Sequence, residues 1–123
     1  MLIPHLHFGG DCTEAIALYE KAFNTKAMDY DYADNKIAHA EMNIHGQKIF
    51  LNDGKEHFVN TFGVNCAAHL ILTFNTTEEL RACYDKLKEG GRLLAPFEET
   101  SYSKLVGNFL DKFGILWGFM VWQ

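Results

Sequence analysis

One stretch of this chain occurs twice. Residues 11–22 read Asp-Cys-Thr-Glu-Ala-Ile-Ala-Leu-Tyr-Glu-Lys-Ala, and residues 76–87 read Thr-Thr-Glu-Glu-Leu-Arg-Ala-Cys-Tyr-Asp-Lys-Leu. A constant offset of 65 superposes Glu14 on Glu79, Ala17 on Ala82, Tyr19 on Tyr84, Glu20 on Asp85 and Lys21 on Lys86. Each stretch opens like a capping box, with Asp11 or Thr76 supplying the side-chain oxygen and Glu14 or Glu79 three residues on. Ala15, Leu18, Tyr19, Ala22 and Phe23 follow helical spacing, as do Leu80, Cys83, Tyr84 and Leu87. Asn24 and the pair Gly90-Gly91 stand where the helices should be capped.

Strand signals surround both helices in the same order. His5-Leu6-His7-Phe8 and His69-Leu70-Ile71-Leu72-Thr73-Phe74 precede them. Expected strands follow at about 26–32, 36–45 and 47–52, and again at about 92–95, 105–111 and 115–122. Gly46 and Asp111-Lys112-Phe113-Gly114 supply turns. The expectation is α+β: two βαβββ modules, at about 1–55 and 67–123, joined by a linker at about 53–66. One helix covers one face of a four-stranded sheet, so the other face needs a partner. Two such curved mixed sheets facing each other would enclose a cleft.

Side-chain parity assigns the lining of that cleft. Leu6 and Phe8 should pack on the first helix, which turns His5 and His7 away. Ala38, Ala40, Met42 and Ile44 form one set of the long strand; Ile37, His39, Glu41, Asn43 and His45 form the other. In the second module Leu70, Leu72 and Phe74 face the helix, while His69, Ile71 and Thr73 face away. His5, His39, Glu41 and His69 are therefore the candidate polar anchors, expected to converge on one hollow, with Tyr102 and Phe109 as candidate walls. Two imidazoles, His5 and His69, with a carboxylate would suit a divalent metal. His7 and His57 are weaker candidates, and His45 falls at a strand end.

Composition excludes other classes. A 123-residue chain of 48% hydrophobic and 22% charged residues is one globular unit or two small modules. The net charge of −5, without a basic stripe, argues against nucleic acid. No apolar run is long enough for a membrane helix and no secretory leader is visible, so a cytoplasmic protein is expected. Cys12, Cys66 and Cys83 are odd in number and make no zinc-knuckle spacing. Cys12 near a helix start is a candidate reactive thiol, and Gly9-Gly10 before it a candidate anion cradle, although Asp11 would repel an anion. The ten Phe either line an apolar cavity or fill a core.

Certain motifs carry a resemblance across nearly the whole chain. They are Phe8-Gly9-Gly10-Asp11-Cys12-Thr13-Glu14-Ala15 with Leu18-Tyr19 and Phe23, Ile37-Ala38-His39-Ala40-Glu41-Met42 with Gly46, and Asp111-Lys112-Phe113-Gly114-Ile115-Leu116-Trp117. Together they resemble the vicinal oxygen chelate superfamily of glyoxalases, bleomycin-resistance proteins and extradiol dioxygenases. The nearest branch is the PhnB-like one, often labelled 3-demethylubiquinone methyltransferase-like. The resemblance implies two βαβββ modules, a homodimer, and a divalent metal held by the first and last strands of each module. His69 matches one ligand position and His5 another, with a one-residue gap. The carboxylates implied at the other two fall near Leu51 or Asn52 and on Gly118, so both are lost. No loop for a methyl donor is recognisable. Two readings follow. One is a binding module for a small aromatic or amphipathic molecule. The alternative is a metal-dependent lyase, isomerase or dioxygenase with Glu41 as general base.

Overall fold

A computed structural model of the chain describes residues 1–54 and 68–122. Most of the expected linker, with His57 and Cys66, lies outside the described residues. The chain divides into two compact units, Met1–Thr61 and Phe62–Gln123.

The first unit runs β1 (His5–His7), α1 (Cys12–Phe23), β2 (Met28–Ala33), β3 (Lys36–Ile44) and β4 (Gln47–Asn52). The second runs β5 (Leu70–Phe74), α2 (Thr77–Leu87), β6 (Arg92–Glu98), β7 (Val106–Leu110) and β8 (Leu116–Val121). The sheet orders are β1-β4-β3-β2 and β5-β8-β7-β6, so each module places its first strand beside its last. Those pairs are parallel, with Leu6 opposite Leu51 and Leu70 opposite Trp117, and the rest are antiparallel. Each module is the βαβββ unit that the repeat implies.

The helix-facing parity builds each core. In the first module Leu6, Phe8, Ala40, Met42, Ile44, Ile49 and Leu51 bury against Ala15, Ile16, Tyr19 and Ala22 of α1. In the second, Leu72, Phe74, Trp117, Phe119 and Val121 bury with Leu80, Cys83 and Leu87 of α2. Tyr84 meets Phe97, Phe109 and Phe119 edge-on at 5.0, 5.4 and 5.8 Å, the geometry aromatic quadrupoles favour. Phe8, Phe74, Phe109 and Phe119 are buried and fill core. Each buried large apolar side chain contributes roughly 1.5–3 kcal/mol.

Three local details differ from the sequence expectation. Thr76 caps α2, its Oγ1 accepting from Glu79 N at 3.1 Å, but Asp11 makes no side-chain cap bond to α1. Asp53, at the end of β4, does that instead. Its Oδ1 accepts from Cys12 N at 3.0 Å and its Oδ2 from Ile37 N at 2.8 Å. In β3 the pairing slips between Asp31 and Tyr32, so Ala38 is an extra residue beside His39. Parity reverses there: Ile37 is buried and Ala38 exposed. Third, α2 ends on Lys88, with the left-handed Gly90 two residues beyond.

Candidate functional site

The first module's helix-free face carries a histidine cluster. The His5 and His7 rings lie 4.2 Å apart, tilted by 35°. Phe50, on β4, presents its ring edge-on to His5 at 5.9 Å and to His39 at 4.8 Å. His39 Nε2 lies 3.0 Å from Glu41 Oε2, and Lys48 Nζ lies 3.4 Å from the other Glu41 oxygen. His7 Nδ1 donates to Asn52 Oδ1 at 2.7 Å. The face therefore gathers His5, His39 and Glu41 as parity expected, and adds His7, Phe50 and Asn52. His7 and Asn52 are directly opposite across β1 and β4, which only the register reveals. His45 stands apart in the β3–β4 turn, at φ 50 before Gly46 at φ 80.

The electrostatics of this face are those of fixed polar contacts. His5 has its pKa lowered, first by burial and then by the neighbouring His7 and His39, so it is a neutral imidazole near pH 7. The Glu41 carboxyl is held below its usual value, chiefly by its bond to His39, with Lys48 assisting against the effect of burial. A carboxylate so stabilised is a poorer base, since general-base work favours a pKa nearer the working pH.

The second module's helix-free face carries a pocket of about 230 Å³ lined by His69, Ile71, Tyr102, Val106, Asn108, Gly118, Phe119 and Met120. His69 precedes β5, and Ile71 and Thr73 continue its face outward. Tyr102 sits in the loop after β6, which Ser103 ties down. The Ser103 hydroxyl lies 2.8 Å from both the Leu105 and Val121 carbonyls, and Val121 N donates to Leu105 O at 3.0 Å. Phe109 departs from its expected role as a wall. It is fully buried, with its ring against Tyr84 of α2. Gly107 shares its face because the Phe97 ring fills the space of a side chain there, a Cβ at Gly107 lying 2.5 Å from Phe97 Cδ1. The outward residues of β7 are therefore Val106, Asn108 and Leu110.

Cys12 and Cys83 are buried, and the α1 terminus is met by a side chain of the same module. Burial, with the Asp53 charge adding to it, pushes the Cys12 thiol up to about 12, and burial pushes Cys83 up to about 11. The anion position expected at Gly9-Gly10 is filled by the Asp53 carboxylate.

Within each module taken by itself, the described donors do not make a divalent-ion set. In the second module the last-strand position is Gly118. A Cβ there would lie 2.8 Å from His69 Cδ2 and 2.9 Å from His69 Nε2, so the imidazole occupies the space of the missing carboxylate. In the first, Leu51 is fully buried on the helix side and Asn52 is bonded to His7. His39 and Glu41, the nearest substitutes, are bonded to each other. Among the described residues no group of three or more His, Cys, Asp or Glu is placed to hold a metal. Catalytic ions usually keep three protein ligands.

Comparison with known proteins places this geometry. Residues 2–119 match the family model described as the Glyoxalase/Bleomycin resistance protein/Dioxygenase superfamily. Protein YjdN of Escherichia coli is 25% identical over 94% of this chain and 91% of its own length. The PhnB protein from Bacillus cereus superposes with a TM-score of 0.81 at 26% identity, covering 98% of both chains. A Pseudomonas aeruginosa protein gives a TM-score of 0.83 at 23% identity, over 100% of this chain and 98% of its own.

Proposed function

The chain belongs to the glyoxalase/bleomycin resistance protein/dioxygenase superfamily, and we propose that within it the protein is a binding module. It takes a small, uncharged, single-ring aromatic or amphipathic molecule into the pocket of its second module. The observation that carries this reading is the pocket itself. Its volume of about 230 Å³ exceeds the roughly 150 Å³ that admits a benzene ring, and leaves room for one polar substituent. Ile71, Val106 and Met120 supply apolar area; His69, Tyr102 and Asn108 supply hydrogen-bonding groups. Among the described residues no Lys, Arg, Asp or Glu lines it, so the lining described gives a charged ligand no opposite partner for its lost hydration.

Calorimetric titration with phenol tests the reading. A fragment of that size should bind at about millimolar Kd, unchanged by a chelator or by added zinc. Zinc binding at one equivalent per chain, lost on His69→Ala, would instead support the metal-dependent lyase, isomerase or dioxygenase alternative.

The homodimer and the compartment belong to the same proposal. Edge strand β2 exposes Met28 and the stacked rings of Tyr30 and Tyr32, 5.8 Å apart, which supports association of two copies along this edge. Sedimentation equilibrium should show a dimer that Tyr32→Glu dissociates; a monomer at all concentrations refutes it. The unpaired thiols Cys12 and Cys83 favour a reducing, cytoplasmic setting. No described helix is long and apolar enough to cross a membrane.

A further inference from the structure

We propose that Gly118 is a specificity-determining residue of the second module's pocket: its missing side chain leaves the space into which the His69 imidazole settles, as a wall that a bound ligand ring packs against. This rests on the reading of that pocket as a binding site.

Gly118 stands directly opposite Ile71 in the parallel β5–β8 pair, and His69 lies on the same face as Ile71. A Cβ at 118 would come within 2.8 and 2.9 Å of the His69 ring and 3.2 Å of Ile71 Cγ1, and two of these are closer than nonbonded carbon tolerates. Any residue other than glycine must therefore lift the imidazole away. Gly118 has no need of its glycine for backbone reasons, because it is not among the residues of positive φ. What the glycine provides is space, and the His69 ring fills it.

Two other close approaches in this module show the contrast. At Gly91 a Cβ would meet Phe109 Cζ at 2.3 Å, and at Gly107 the Phe97 ring at 2.5 Å. Phe109 is fully buried in the core, so a side chain at Gly91 meets a partner that cannot yield. His69 is exposed and can yield. A substitution at 118 should thus move one ring without unfolding the module. The same position is where the superfamily resemblance implied a carboxylate ligand to a metal. Glycine supplies no donor there, and the His69 imidazole that fills its space is part of the pocket lining.

The experiment is a double-mutant cycle of Gly118→Ala and His69→Ala, read by NMR titration with phenol and, without ligand, by the His69 ring proton shifts. Gly118→Ala should fold, displace the His69 ring resonances and weaken phenol about tenfold, the scale of an overpacked contact. His69→Ala alone should weaken phenol by about tenfold or less. In the His69→Ala background, Gly118→Ala should cause no further loss, because no ring remains to be displaced. Wild-type phenol binding that survives Gly118→Ala undiminished, or that falls equally in both backgrounds, overturns the role of Gly118 while leaving the pocket intact. Wild-type protein that does not bind phenol, with His69 resonances that move in Gly118→Ala, overturns the pocket reading and with it the specificity role, while sparing the packing of His69 on Gly118.

Discussion

Asp53 and Asp11 give the sharpest test of how the first module is held. Asp53 is buried, 6% exposed, and its two oxygens accept from the buried amides of Cys12 and Ile37. Its own amide donates to Ile37 O at 2.9 Å, and its carbonyl accepts from Gly9 N. One residue therefore joins the β1–α1 loop, the start of β3 and the end of β4. Asp53→Ala leaves two buried donors without acceptors, each costing roughly 1–3 kcal/mol, and removes a negative charge from a helix N-terminus worth roughly 0.5 kcal/mol. We expect a loss of about 4 kcal/mol, or a fall in Tm of roughly 15 °C for a chain of this length. Asp53→Asn keeps one acceptor and should cost about half as much. Asp11→Ala, by contrast, should stay within about 0.5 kcal/mol, because Asp11 makes no cap bond. Urea denaturation followed by circular dichroism, with unchanged m values, measures all three. An Asp11→Ala loss equal to that of Asp53→Ala, or an Asp53→Ala loss under about 1 kcal/mol, refutes the assignment.

Other outcomes follow from the same contacts. Because His5 has its pKa lowered by folding, the unfolded chain takes up a proton there more readily, so stability present above about pH 6.5 should fall as acid is added below it. His5→Ala should flatten that part of a stability–pH profile; an unchanged slope contradicts the shift. Glu41, also lowered, adds a second loss below its ordinary value, and His39→Ala should raise the Glu41 pKa measured by carboxyl NMR, since the His39 bond is the largest cause of its lowering. In a Cys66→Ser background, a thiol reagent should label neither Cys12 nor Cys83 in native protein and both in urea; rapid native labelling of Cys12 refutes its burial.

Local patterns explain why the architecture was legible. Helical periodicity and a capping signal lie within one or two turns of chain, and both modules display them. The β7–β8 turn was equally local. Asp111 Oδ1 accepts from Phe113 N and Ile115 N at 2.8 and 3.0 Å, and Oδ2 from Trp117 Nε1 at 2.9 Å. That clamp gives the Asp-Lys-Phe-Gly-Ile-Leu-Trp run its physical meaning.

The misreadings share a cause in distant partners. Asp11 looked like a cap because it precedes a helix, but the carboxylate that reaches Cys12 N comes from 41 residues away. Strict alternation placed Ile37 on the polar face, and a slip in the β2–β3 register reversed it. Phe109 looked like a wall because Val106, Phe109 and Leu110 offer apolar residues to both faces of one short strand; the deciding fact is Phe97 lying over Gly107, contributed by another strand. Gly118 read as a lost ligand, and only its distance to His69 reveals that the space is filled.

The most direct test of the central claim is an amide and side-chain NMR map of the whole chain titrated with phenol in the presence of chelator. Saturable shifts should concentrate on His69, Ile71, Tyr102, Asn108 and Met120, with Phe109 and the Cys12 region undisturbed. Saturable shifts centred on any other surface, or a response that appears only after a divalent metal is supplied, would contradict it.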